Sequence, residues 1–128
     1  MKLNVILTIA AVYMTLIGVG HLLAPVAMSA GVVPADASLG LTAFLRHYSA
    51  LFLAIAVMNW TARNSEPSTA RTSILLANLV AFGVAALLDV LAVLSGAGPA
   101  GLVPAGINLL LAAAFFWALR MSTSAKPA

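Results

Sequence analysis

The sequence predicts an all-α integral membrane protein, a four-helix bundle with both ends on the cytoplasmic side. Three observations point there. Hydrophobic residues make up 63% of the chain and charged residues only 7%, far from the roughly 25% charged residues of a soluble domain. Four apolar runs, Leu3 to Leu23, Leu41 to Trp60, Ser73 to Leu94 and Gly101 to Leu119, approach or exceed the roughly 17 to 25 residues that a membrane-spanning helix needs. The arginines and lysines are also unevenly placed. Lys2 precedes the first run, Arg63 and Arg71 flank the second connection, Arg120 and Lys126 follow the last run, and the first and third connections hold neither type. By the positive-inside rule the second connection and both ends face the cytoplasm. Trp60 and Trp117 then sit near that interface, where amphipathic indoles are favoured. The chain, residues 1–128, reads as a single transmembrane domain.

The formal charge of +3 does not indicate nucleic acid, because the six basic residues form no stripe. The chain has no cysteine, which excludes disulfides, thiolate ligands and thiol catalysis. Met1-Lys2-Leu3-Asn4 ahead of an apolar run imitates a secretory signal. The run exceeds a typical signal core, and Met28-Ser29-Ala30 puts a large residue where cleavage wants a small one. The first helix is expected to stay.

The connections follow from their breakers. Ala24 to Gly40, with Pro25, Gly31, Pro34 and Gly40, reads as an outer loop, with Asp36 or Ser38 near the start of a short interfacial turn. Asn64 to Thr69 is polar, and Ser68 or Thr69 is placed to cap the third helix. Ser95 to Ala100 is tight enough to make the third and fourth helices antiparallel neighbours. Residues 122–128 read as a disordered tail. Gly31-Val32-Val33-Pro34-Ala35 with Leu39 echoes Gly101-Leu102-Val103-Pro104-Ala105 with Leu109, which suggests either a duplicated hairpin or coincidence in a chain rich in small apolar residues.

Function is sought among the polar residues inside the runs, because an ionisable side chain in lipid costs at least a few kcal/mol unless it faces protein or water. With the middle of each run at the midplane, His21 lies roughly 12 Å toward the outside, Arg46, His47 and Asp89 roughly 6 to 8 Å, and Asn108 roughly 3 Å. Every helix thus contributes to an outer polar layer, whereas Asn59 and Asn78 fall in the inner half. Ala77, Ala81, Ala85 and Asp89 form one stripe of fourfold spacing, and Arg46, Ala50 and Ala54 another. Such small-residue stripes read as packed faces. An Arg46–Asp89 salt bridge between the second and third helices is therefore expected.

The layer has two readings of equal weight: a structural clamp fixing helix register, or the lining of an outward cavity that binds something. In the second, His21, Arg46, His47, Asp89 and Asn108 bind a small apolar or amphipathic ligand, a quinone or a lipid. Arg46 acts as donor to an anion or carbonyl, Asp89 orients it, and His47 is the proton carrier near neutral pH. Haem b would need His21 and His47 to converge on one iron, and nothing else in the sequence supports it. No metal site is expected, since a cation on His21, His47 and Asp89 would compete with Arg46 for the carboxylate. Tyr13 and Tyr48 are candidates for hydrogen bonds inside the bundle, Tyr48 equally for an interfacial anchor. An isomerase or oxidoreductase using His47 as acid and base, and an assembly module that packs against other membrane helices, are the alternatives.

Ile17-Gly18-Val19-Gly20-His21-Leu22-Leu23-Ala24-Pro25 and Arg46-His47-Tyr48-Ser49-Ala50-Leu51-Phe52-Leu53-Ala54 resemble the DoxX-like group of small four-span bacterial membrane proteins. In that group an apolar first helix ends near a proline, and the second often opens with arginine, an aromatic residue and small residues. Ser49-Ala50 stand where the group carries glycines. The resemblance implies a four-span fold in a bacterial inner membrane and, as for some members, association with quinone-linked or redox membrane complexes. A small drug/proton antiporter would instead carry a glutamate in its first span, and residues 3–23 hold no acid.

Overall fold

A computed structural model describes residues 2–30, 32–96 and 98–124 of the chain, the side chains of 123 and 124 excepted. It is helical throughout its regular elements: α1 (Leu3–Leu23), α2 (Pro25–Met28), α3 (Leu39–Ala62), α4 (Thr69–Leu94) and α5 (Leu102–Ser124), with a 3₁₀ turn at Pro99–Gly101. Four helices of 21 to 26 residues are long and apolar enough to cross a membrane. The protein is a multi-pass membrane bundle.

Helix starts are set where hydroxyl caps stand. Ser38 Oγ accepts from the Leu41 amide at 3.2 Å and opens α3, and Ser68 Oγ accepts from the Arg71 amide at 3.2 Å and opens α4. Each satisfies one donor that the first helical turn leaves free. The second and third apolar runs therefore extend beyond the expected spans, at both ends of α3 and at the start of α4.

The outer loop is a loop only in part. Pro25, whose fixed φ and missing amide suit a first helical position, starts the single turn α2, and Met28 of that turn folds over Gly20, where any added Cβ would meet its sulfur at 2.7 Å. Between α4 and α5 the chain reverses through Gly96 and Gly98 at φ of 94° and 79°, a region that non-glycine residues rarely adopt. The proposed echo has no local counterpart. Val32 and Val33 lie in a turn closed by an Ala30–Val33 bridge, whereas Leu102 and Val103 open α5; Gly31 is outside the described residues.

The helices associate as two antiparallel pairs, α1 along α3 and α4 along α5, as the short third connection predicts for the latter. Lipid offers little hydrophobic drive between helices, so close packing and hydrogen bonds must hold the pairs together. The α1–α3 approach depends on Gly18, whose missing Cβ leaves room for Leu53. Phe82 and Phe115 stack with ring centroids 5.7 Å apart at 6°, and Tyr13 from α1 reaches Phe82 at 6.3 Å. Ile6, Leu7 and Leu75 complete the fully buried centre. Hydroxyls within the helices bond back to their own backbone, Thr8 to the Asn4 carbonyl at 2.7 Å and Thr15 to that of Ala11 at 2.8 Å, so the membrane interior meets no free O–H there.

Alternation of the spans puts Lys2, Arg63, Arg71 and Arg120 on the side of the α3–α4 connection, here termed inner; Lys126 is outside the described residues. The Arg63 guanidinium lies over the Trp60 ring, 3.6 Å from its centroid, a cation–π contact suited to an interface.

Candidate functional site

The polar residues of the outer half divide into an interior pair and an exposed set. Asn108 on α5 donates through Nδ2 to Asp89 Oδ2 on α4 at 2.9 Å. Asn108 is buried and Asp89 half-buried. The pairing follows from the hairpin: Asp89 lies five residues before the end of α4 and Asn108 six after the start of α5, which puts them level across the interface. The absent side chain of Gly101 lets the turn lie against Val93 and the Asp89 carbonyl.

Arg46 does not meet Asp89. Among the described residues no ion pair joins them; the carboxylate is taken by Asn108, and Arg46 is exposed on α3. The expected bridge fails in rotation and not in depth. The Asn59 and Asn78 carboxamides bond to each other and set α3 level with α4. Arg46 lies thirteen residues outward of Asn59 and Asp89 eleven outward of Asn78, so the two differ by only about 3 Å in depth.

The packed face of α3 is Ser49, Ala56, Asn59 and Ala62, and that of α4 is Leu75, Asn78, Phe82 and Ala86. The small-residue stripes chosen from sequence, Arg46-Ala50-Ala54 and Ala77-Ala81-Ala85, are each one residue off phase. Ala50, Ala54 and Ala77 are exposed, and Ala81 and Ala85 only flank the core. Arg46→Asp is accordingly expected to change stability by less than about 0.5 kcal/mol. Adding Arg46→Asp to Asp89→Arg should restore nothing in a denaturing-detergent titration; recovery would mean that the two residues meet after all.

The histidines also separate. His21 Nδ1 lies 2.9 Å from the Ile17 carbonyl, which only accepts, so Nδ1 carries the proton, and in the neutral ring Nε2 is left to accept from Ser29 Oγ at 3.4 Å. His47 is exposed on a different face of α3, its Nδ1 on the Ala43 carbonyl at 3.0 Å. Two imidazoles engaged on opposite sides of α3 do not fit the convergent axial ligation of haem b. Nor do His21, His47 and Asp89 gather into a metal-holding group among the described residues. Tyr48 lies in an exposed aromatic ladder, its ring 6.2 Å from Phe44 and edge-on to Phe52 at 5.0 Å, the setting of an interfacial anchor.

Two features escaped the sequence reading. One is a reciprocal carboxamide clasp in the inner half: Asn59 Nδ2 donates to Asn78 Oδ1 at 2.9 Å and Asn78 Nδ2 to Asn59 Oδ1 at 2.8 Å, both residues almost fully buried. The other is a groove of about 550 Å³ between α1 and α3, lined by Ala11, Val12, Thr15 and Leu16 on one helix and Leu53, Ala56, Val57 and Trp60 on the other. Both lie apart from the five residues singled out, and the groove opens toward lipid rather than into the bundle.

No family model, curated protein or solved structure matches this chain.

Proposed function

We propose that this membrane protein binds one small apolar or amphipathic molecule, a quinone or a lipid, at its α1–α3 face. The observation that carries the reading is the α1–α3 groove, apolar apart from the Trp60 indole because the Thr15 hydroxyl is already bonded to Ala11. Such a concave apolar surface with a few polar groups at one end is the usual form of a ligand site. Polar groups stand outward of it: Arg46 about 10 Å beyond Leu53 on α3, and His21 with Ser29 on the α1 side. Asp89 and Asn108, bonded to each other, stabilise the neighbouring pair rather than line the groove. Membership of a membrane redox or envelope complex is the role that the DoxX-like resemblance suggests for such a binder in a bacterial inner membrane.

The test is to purify the protein in mild detergent, record an optical spectrum and a native mass spectrum, and extract what co-purifies. A stoichiometric quinone or lipid, lost in Thr15→Phe, which fills the groove from its exposed side, is the expected result. A protein that carries nothing, with Thr15→Phe indistinguishable from it, would end this reading.

A second reading has one observation in its favour. Ala43, Ala50 and Ala54 lie with His47 on one exposed face of α3, and small residues there let another membrane helix approach closely. Crosslinking from His47→Cys to a second protein in the native membrane would support an assembly role.

A further inference from the structure

We infer that the occupant of the α1–α3 groove is an anionic phospholipid of the leaflet on the outer side, its phosphate on the Arg46 guanidinium and one acyl chain along the groove. This rests on the amphipath reading above and names the ligand.

Position comes first. Arg46 is exposed on α3 about 10 Å outward of Leu53, the outermost α3 residue lining the groove. Within the span such an arginine would be costly; at its edge the long side chain reaches the interface. Facing comes second. Arg46, Leu53, Val57 and Trp60 follow one another at intervals of seven, four and three residues, which keeps them within about 60° of one another around α3. The guanidinium thus tops the very stripe that forms the α3 wall of the groove. Length comes third. From Leu53 to Trp60 the α3 wall of the groove is seven residues, about 10 Å of helix and about a third of a hydrocarbon core of about 30 Å. That holds part of one acyl chain whose headgroup end lies toward Arg46.

Charge selects among occupants. A guanidinium presents paired N–H donors in the geometry of a phosphate. A second copy of the chain docked about a two-fold axis on this groove would bring two Arg46 side chains together, a repulsive contact within low dielectric. A quinone offers Arg46 only a neutral carbonyl, a weaker acceptor than an ionised phosphate.

The experiment offers the detergent-purified protein an equimolar mixture of phosphatidylglycerol and phosphatidylcholine with identical chains and reads retained lipid by native mass spectrometry. Wild type is expected to keep one lipid and to favour phosphatidylglycerol. Arg46→Gln should lower that preference about tenfold, the value of one hydrogen bond to a charged group, while Arg63→Gln at the opposite end leaves it unchanged. Thr15→Phe should lose both lipids. Equal lowering by Arg46→Gln and Arg63→Gln, or no lowering by Arg46→Gln, would overturn the inference. A quinone or a lipid held without headgroup preference and lost in Thr15→Phe would leave the amphipath reading standing and remove only the phosphate. No ligand in any variant would remove both.

Discussion

Gly18→Val is expected to destabilise the bundle by about 1–3 kcal/mol through overpacking. A Cβ on Gly18 would lie 2.8 Å from Leu53 Cγ and Cδ2 and 3.3 Å from the Leu53 backbone nitrogen. The side chain of Leu53 can turn away, but the backbone contact cannot be relieved without moving α1 off α3. Between these helices the gain from close approach is mostly dispersion, which falls steeply with a gap of even half an ångström. Loss of helicity with rising fraction of denaturing detergent measures the effect. Gly18→Val combined with Leu53→Ala should recover part of it, since the side-chain share of the clash is removed while the backbone share stays. Full recovery, or none, would show that the side chain alone, or the backbone alone, sets the approach.

Asn59→Leu is expected to cost about 1–2 kcal/mol, more than the double substitution Asn59→Leu with Asn78→Leu. With Asn59 gone, Asn78 keeps its bond to the Ile74 carbonyl at 2.8 Å, but its Oδ1 loses the donor it has in the clasp. An orphaned polar atom in an apolar interior carries a desolvation penalty that a leucine pair of similar volume does not. The magnitude is set near the upper end of hydrogen bonds measured between membrane helices, because both carboxamides are almost fully buried. The same titration reads it. A double variant less stable than the single one would mean that leucine cannot fill the space, and that packing rather than hydrogen bonding governs this contact.

Much of the fold was legible because lipid imposes long apolar runs and a hydroxyl cap marks where one starts: Ser68 stands among the expected cap residues, whereas Ser38, expected near a short interfacial turn, opens α3 itself. The turn α2 was not legible, since Pro25 reads as a breaker until Met28 is seen folded over Gly20. At the candidate site, the depth of each residue was taken from the centre of its own run, which assumes that all helices are centred alike. The Gly18–Leu53 contact shows that α3 is displaced outward relative to α1, so depths read from run centres do not carry from one helix to the next. Rotation failed for another reason. Alanine is too abundant here to mark a face, so a stripe beginning at Ala50 looks as convincing as the true one beginning at Ser49.

A better signal was present. Asn59 and Asn78, and likewise Asp89 and Asn108, are each nineteen residues apart across a short connection. Polar residues equidistant from a hairpin turn are brought level by the turn itself, whatever the depth of the hairpin in the membrane.

That α1 finds its neighbour in α3 and α4 in α5 has a biosynthetic consequence. As the chain emerges from the ribosome, the first pair has its full set of close contacts once residue 62 has entered the lipid, before any of the second pair is made. The second pair likewise closes on itself through the short turn and the Asp89–Asn108 bond. Insertion is therefore expected to proceed pair by pair, with the lateral meeting of the two pairs as the late event that buries the shared core and the Asn59–Asn78 clasp as its register mark.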